Sequence, residues 1–367
     1  MRVAAVGVGG AGGRIVDELR QDDERRETTY LGAACALDTD TEALDELEAV
    51  PGERRHSFGL LEANGTGTDG DRTTGIAAIE GERLEVRRAI DPLVTSDIDA
   101  VVLAAGLAGG TGGGATAYIA DSLGDVYDVP IYCVSVLPAG WDDGAATNAV
   151  QALRALSSTV DGQLLFDNEA WLGSEQTVEA AAGTLNETVG TRLGALFGAG
   201  EAAAAANVGE SVVDASEIAN TLSDSGYATL GYASQDLETD DDGSDTVIDR
   251  LRDRFFADEP DDVDEIKAHK AVETTLRRAV RGKLTAECER DSADRALAVF
   301  AGPPRWLIRE AITDGRQWLT EELQSPEIRS GDMPTPDRAT LSVLVLLSGV
   351  TAVPRLAELE TLAEEGG

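Results

Sequence analysis

Six of the nine residues from 106 to 114 are glycine, within the stretch 105–116 that reads AGLAGGTGGGAT. Almost no Cβ atoms cover the backbone there, so its N–H groups can turn inward on a ligand that side chains would hold off. An apolar run at 99–104 leads in, and small residues of helical character at 115–123 lead out. Strand, bare loop and helix N-terminus in that order aim a positive helix end at an anion. Thr111 adds a hydroxyl, and the chemistry this suits is phosphate binding. A tight surface turn would need only one or two glycines.

A second bare stretch lies near the start. A short apolar strand at 2–6 opens into Gly7-Val8-Gly9-Gly10-Ala11-Gly12-Gly13-Arg14 and a helix to about Leu19. The next strand, 31–37, ends at Asp38-Thr39-Asp40. Alone, Gly7, Gly9 and Gly12 with Asp38 make a dinucleotide-binding fingerprint for an NAD-dependent oxidoreductase. Such a site needs one phosphate loop, whereas two loops on different strands suit a nucleotide gripped along its whole phosphate chain. Two further residue types could do chemistry. Asn168 and Asn186 carry amides that both donate and accept, although a turn and a helix face are ordinary places for them. Asp214 and Glu217, three apart, share one helix face. Spacing alone favours reading that pair as a capping box.

These residues need elements to position them. Further apolar runs at 130–137 and 162–166 read as buried strands. Strands alternating with helices predict a doubly wound parallel sheet whose crevice lies beyond the carboxyl ends of its strands. Residues 53–81 show little periodicity and read as a loop, either a lid over a terminal phosphate or plain surface, with a helix at 82–92. Residues 175–197 predict a long helix, with Leu185, Val189, Leu193 and Leu196 at helical spacing and Gly198-Ala199-Gly200 as its stop. The second half predicts a helix at 211–222, a strand at 227–235, an acidic loop at 238–245 and helices at 246–256 and 266–281. Strands at 296–301 and 341–347 flank a helix at about 304–323, and a short acidic helix closes the chain after Pro354. That mixture predicts an α+β domain.

The 367 residues allow two domains and a substantial core. Asp and Glu number 68 against 30 Lys and Arg, a net charge of −38. Such a surface repels nucleic acid and anionic membranes. It also strains the fold in dilute salt, while molar salt shrinks the Debye length to about 3 Å. A salt-rich cytoplasm is therefore expected. Cys35, Cys133 and Cys288 give no disulfide framework, and with only His56 and His269 no metal cluster is expected. No stretch has the apolar length of a membrane span and no signal-peptide pattern is visible, so a cytoplasmic protein is expected.

Over nearly its whole length the chain resembles the tubulin/FtsZ superfamily, and within it the archaeal tubulin-like CetZ family. Gly9-Gly10-Ala11-Gly12 is similar to the first phosphate loop of that family, and Gly109-Gly110-Thr111-Gly112-Gly113-Gly114 to its signature loop. Phe166-Asp167-Asn168-Glu169-Ala170-Trp171, Leu185-Asn186-Glu187 and the stretch 210–222 (ESVVDASEIANTL) resemble the base-contacting loop, central helix and catalytic loop. The resemblance implies a doubly wound parallel-sheet GTPase domain at 1–174, a central helix at 175–200, an α+β domain with the catalytic loop at 201–350 and an acidic tail at 351–367. It implies GTP with Mg²⁺, held at the phosphates by Gly10, Ala11, Gly12, Gly13, Arg14, Gly109, Gly110, Thr111, Gly112 and Gly113. Asp143 would meet the ribose, and Asn168 and Asn186 would read guanine. Glu217 and Asp214 would act on the nucleotide of the next subunit in a head-to-tail filament, in a cytoskeletal role in cell shape, alone or with paralogous tubulin-like proteins. Three departures stand out. Ala108 replaces a signature glycine, Gly113 replaces a Thr or Ser, and Asp142-Asp143 shortens the usual Glu at the ribose. The lost hydroxyl at Gly113 predicts weaker binding or turnover, since a charge-assisted hydrogen bond is worth about 1.5–3 kcal/mol. A non-hydrolysing guanine-nucleotide-binding relative is the alternative this raises.

Overall fold

The computed structural model describes residues 1–26, 29–140, 143–174, 176–205, 213–223, 226–237, 265–324, 327–336 and 338–365, with the side chains of 143 and 202–205 left aside. Asp142, residues 210–212, the acidic loop at 238–245 and the helix expected at 246–256 lie outside the described residues.

Apolar runs without alternation form strands buried on both faces, as parallel sheets require. The first half contains β1 (Val3–Val8), α1 (Gly9–Glu24), β2 (Leu31–Asp38), α2 (Thr41–Asp45), β3 (Arg55–Ser57), α3 (Leu60–Ala63), α4 (Arg72–Ile90), β4 (Ala100–Gly106), α5 (Gly110–Gly124), β5 (Ile131–Leu137), α6 (Asp143–Leu156), β6 (Gly162–Asp167) and α7 (Asn168–Trp171). Then come α8 (Val178–Ala205), α9 (Ala215–Leu222), β7 (Tyr227–Asp236), α10 (Glu265–Arg281), β8 (Arg295–Gly302), α11 (Arg309–Leu323), β9 (Glu327–Pro334), β10 (Thr340–Val350) and α12 (Pro354–Glu365).

One ten-stranded sheet runs in the order β3-β2-β1-β4-β5-β6-β7-β10-β8-β9. Every pair from β3 to β7 is parallel, β10 is antiparallel to β7 and β8, and β8 and β9 are parallel. The expected parallel first half is thus present, and β7 carries the same sheet into the second. Alternate residues of each strand face two cores. Val6, Leu103 and Cys133 pack with Ile79 of α4, Ile119 of α5 and Leu153 of α6 on one side. Val3, Val102 and Val134 pack with Ile15 and Leu19 of α1 and Leu185, Val189, Leu193 and Leu196 of α8 on the other.

Four sequence expectations are corrected. Residues 72–81 are not loop: α4 starts at Arg72, capped by Asp71, whose Oδ1 accepts from the Thr73 N–H (2.9 Å). Non-helical angles at Glu82 (φ −122°, ψ 22°) break its repeat into two short pieces, which hid the periodicity. The helix after β4 starts at Gly110, five residues before the expected 115, because glycines there let it pack tightly rather than unwind it. A Cβ on Gly112 would lie 2.5 Å from the Gly106 carbonyl oxygen, and one on Gly75 of α4 would collide with the Gly110 carbonyl oxygen. Nor do Gly198 and Gly200 stop α8: Gly200 is packed against the Met1 nitrogen, where no Cβ fits, and the helix continues to Ala205. Strand β9 was not foreseen, because its half-buried sequence EIRSGDMP has no apolar run.

Three glycines spaced four apart seat α8 on α1. Gly190 faces Glu18, Gly194 faces Asp22 and Arg26, and Gly198 faces Arg26 and Tyr30. Both indices rise together, so the two helices run parallel, and one turn earlier this register sets Asn186 level with Arg14.

If the tight α4–α5 approach depends on bare backbone, Gly75→Ala lowers stability by about 1–3 kcal/mol through overpacking. Gly183→Ala, on α8 with nothing within 4 Å of a new Cβ, raises it by up to about 1 kcal/mol through helix propensity. Thermal unfolding in molar KCl reads both, and shifts of the same sign would contradict the packing account.

Candidate functional site

The connections leaving β1, β2, β4, β5 and β6 converge on the carboxyl edge of the sheet. Gly9 has φ +72°, in the left-handed region that favours glycine, and a Cβ there would lie 3.0 Å from the Gly112 nitrogen. The two glycine stretches therefore touch, and α1 and α5 begin side by side. Neither helix has a side-chain cap or an acidic residue in its first turn. In a chain with 68 acids, that leaves two sets of orphan N–H groups and two positive helix ends facing one crevice. Residues Gly10 to Arg14 and Gly109 to Gly113 all lie in these two starts. A side chain at Gly113 would press on the Leu107 carbonyl oxygen (2.5 Å), so the glycine also lets the β4–α5 turn close.

Behind the glycine crevice is a hydroxyl cluster that sequence reasoning missed. Thr111 Oγ1 lies 2.6 Å from Thr39 Oγ1 and 3.4 Å from Thr68 Oγ1, all three buried. Thr39 was visible only as the middle of Asp-Thr-Asp ending a strand. Thr68 sits in the segment read as lid or surface. That segment is packed down: Gly67 N–H donates to the Thr39 carbonyl (3.2 Å), and Asn148 Nδ2 donates to the carbonyls of Gly70 (2.8 Å) and Ala108 (2.9 Å). Asp38 is buried beside them and accepts from the N–H groups of Thr39 (2.7 Å) and Asp40 (3.2 Å). Burial pushes its carboxyl up to about 6, against those backbone bonds and the Arg14 guanidinium.

At the other end, β6 stops at buried Asp167, whose Oδ1 accepts from the Glu169 N–H (3.1 Å) and caps α7. Burial pushes Asp167 up to about 6, and Arg355, with Nε 3.7 Å away, pulls the other way. Arg355, from the start of α12, also donates to the carbonyls of Pro138 (3.0 Å) and Gly140 (3.1 Å). Gly140 N–H donates to Glu169 (2.7 Å), which ties the β5 exit to α7. Asn168 is thereby held at the carboxyl edge, and Trp171 stacks on Phe166 at 5.9 Å. Asn186 approaches the same edge through the α1–α8 register. Among the described residues neither asparagine amide has a hydrogen-bond partner. The side chain of Asp143 lies outside the described residues.

Asp214 and Glu217 stand elsewhere. Asp214 Oδ1 accepts from the Glu217 N–H (3.0 Å) and Ser216 Oγ (2.6 Å), so Asp214 caps α9, while Glu217 returns no side-chain bond among the described residues. The Ser216 bond holds the Asp214 carboxyl below the usual range. Burial and the neighbouring Asp214 charge push Glu217 up, and its half-buried carboxylate accepts no hydrogen bond among the described residues. The end of α8 packs on the start of β1: the Met1 amino group donates to the Phe197 carbonyl (2.9 Å) and pairs with Glu201 (3.1 Å). A Cβ on Gly200 would also lie 3.4 Å from the Ala215 nitrogen. The end of α9 touches Gly162, the first residue of β6. Both acids thus sit at the amino edge of the sheet. A six-residue strand such as β1 separates the two edges by roughly 17–20 Å.

Comparison with known proteins matches residues 2–176 to the Tubulin/FtsZ family, GTPase domain, and residues 175–365 to the Tubulin-like CetZ, C-terminal domain. Tubulin-like protein CetZ5 of Haloferax volcanii is 39% identical over 367 residues, 100% of this chain and 92% of that protein. The GDP-bound monomer of CetZ1 from Haloferax volcanii superposes with TM-score 0.86 at 33% identity, covering 100% of this chain and 99% of the other. The GTPγS-bound protofilament of CetZ2 from the same organism gives TM-score 0.85 at 31% identity, covering 100% and 98%.

A buried carboxyl whose folded pKa is about 6 binds more protons folded than unfolded between roughly pH 4 and 6, so its contribution to stability falls as pH rises through that window. Asp38→Asn removes the titration. The variant's stability relative to the parent therefore rises by up to about 3 kcal/mol from pH 4 to pH 7, read by denaturant unfolding at constant molar salt. A difference that stays flat with pH would contradict the burial of that charge.

Proposed function

The chain belongs to the tubulin-like CetZ family, and on that premise we propose that it is a GTPase whose catalytic acids act on the nucleotide of the next subunit in a head-to-tail filament. One observation carries this reading: the glycine crevice and the Asp214–Glu217 pair occupy opposite edges of one sheet. No single subunit brings them together, and stacking one copy on another does. The GTPγS-bound protofilament of CetZ2 supports the stacking, and the GDP-bound monomer of CetZ1 supports guanine nucleotide in the crevice.

In this reading the N–H groups of Gly10 to Gly13 and Gly109 to Gly113 surround the phosphates, Arg14 adds charge and Thr111 a hydroxyl. Asp143 accepts from the ribose, and Asn168 and Asn186 read the guanine edge. Among the described residues no group of three or more His, Cys, Asp or Glu is placed to hold a metal ion. That fits Mg²⁺ carried by the nucleotide's own phosphates and water, which is its usual mode; when bound it would neutralise developing phosphate charge. Glu217, less acidic than an open glutamate, orients a water and takes its proton as the oxygen attacks the γ-phosphorus. The bond to the β–γ bridging oxygen breaks, leaving GDP and phosphate. Asp214 holds Glu217 in place by capping α9. The setting is cytoplasmic and cytoskeletal, controlling cell shape, with paralogous tubulin-like chains as further partners.

A second reading, nucleotide-dependent assembly without appreciable hydrolysis, is favoured by one observation. Gly113 brings no hydroxyl to the cradle, and the closed β4–α5 turn leaves little room for one.

Sedimentation in molar KCl with GTP, GDP or no nucleotide separates the two. The parent pellets with GTP and releases phosphate, whereas Glu217→Ala still pellets with GTP and its phosphate release falls about a hundredfold or more. Release unchanged in Glu217→Ala would overturn the catalytic assignment. Background release from assembled parent would establish the second reading.

A further inference from the structure

Basic side chains are scarce in this chain, and they are unevenly placed. All three lysines, Lys267, Lys270 and Lys283, lie on α10 or just after it, together with Arg277, Arg278 and Arg281. The end of α10, the middle of α8 and strand β7 border an open cleft of ≈ 780 Å³ lined by Arg192, Arg277, Arg278, Arg281, Lys283 and Tyr232. None of the glycine-stretch residues lines it.

Two of these cations are neutralised. Arg281 pairs with Glu322 through two bonds of 2.8 Å, and Arg277 pairs with Glu273 at 2.7 Å. Arg192, Arg278 and Lys283 have no carboxylate within ion-pair distance among the described residues. Arg192 is the unusual one. It is only 9% exposed, its Nη1 donates to the Thr188 carbonyl (3.1 Å), and its Nε is buried with no hydrogen-bond partner. What faces its charge is aromatic: the guanidinium lies 4.5 Å from the Trp171 ring centre and 5.8 Å from that of Tyr232. Lys283 Nζ lies 4.7 Å from the same Trp171 ring. Burial pushes Arg192 down to about 10. Removing one buried cation from water without a counter-charge is expensive unless a ligand supplies the charge.

We propose that this cleft binds a small multivalent oxyanion, the clustered phosphates or carboxylates of a metabolite, at a site separate from the nucleotide crevice. Guanidinium forks match phosphate and carboxylate oxygens in pairs, and the volume suits a small molecule. In molar salt a single distant charge is screened within about 3 Å, so the ligand must carry several charges in direct contact. Trp171 closes α7, which begins at Asn168, so the occupant would also bear on the proposed base-reading segment.

Calorimetry on the full chain, saturated with GDP in molar KCl, tests this with pyrophosphate in one arm and citrate in another. Saturable one-to-one binding of either is expected, and the tighter arm identifies the source of the charge. Arg192→Met weakens it about tenfold or more. Arg278→Gln, an exposed change that leaves the fold intact, weakens it severalfold. Absence of saturable heat in both arms, or affinities unchanged in both variants, would overturn the proposal. So would binding seen only without GDP, which would place the anion in the nucleotide crevice.

Discussion

Two helices, α1 and α5, start within contact distance of each other because no side chain stands between them. Gly9 meets the Gly112 backbone and the Thr111 Cβ, and Gly12 packs on the Ala104 carbonyl where a Cβ would collide. This mutual approach of bare backbone sets the rest of the carboxyl edge. It pulls α4 against α5 through Gly75 and seats the 64–71 segment on Thr111. It also concentrates unpaired N–H groups in a chain that is otherwise negative. The low dielectric that strengthens those donors also raises Asp38 and Asp167, so the edge carries buried carboxyls whose charge is resisted.

Helix α8 joins this edge to the opposite one. Its 28 residues span about 42 Å, longer than the sheet strands it crosses. Asn186 lies near its start, level with the glycine turn of α1, and its end docks on the Met1 amino group beside the start of α9. Under the proposed function the same helix fixes the base-reading end of one site and the acids offered to the next. The distance between these ends is then what spaces subunits along a filament. The Gly190, Gly194 and Gly198 seam, with Arg26 bonded to Asp22 beneath it, gives that strut a fixed register.

Much of the candidate site was legible because a crevice of bare backbone demands unusual composition. Six glycines among nine residues cannot be mistaken for an ordinary turn, and the buried strands on either side were plain apolar runs. Boundaries were harder where glycine served packing. Residues Gly110 to Gly114 read as loop but are helix, and Gly198 and Gly200 read as a stop but lie inside α8. In both places close tertiary contact outweighs a local propensity penalty of about 1 kcal/mol per glycine. The first half of helix α4 was hidden by the break at Glu82, while its second half was expected. The roles of Thr39, Thr68, Arg355 and Arg192 could not be read from the sequence, since each matters through partners far away in it. The Asp214–Glu217 spacing fitted a cap and an acid pair alike. The Asp214 half of the cap is present, and the Glu217 carboxylate accepts no hydrogen bond among the described residues.

The central claim is that a complete site requires a neighbour. Phosphate release per subunit, followed against total protein concentration at saturating GTP and fixed molar salt, addresses it directly. The account predicts release near background at low concentration, rising steeply at the concentration where light scattering first detects polymer. A rate per subunit that is constant across the series, and already present well below that point, would contradict it.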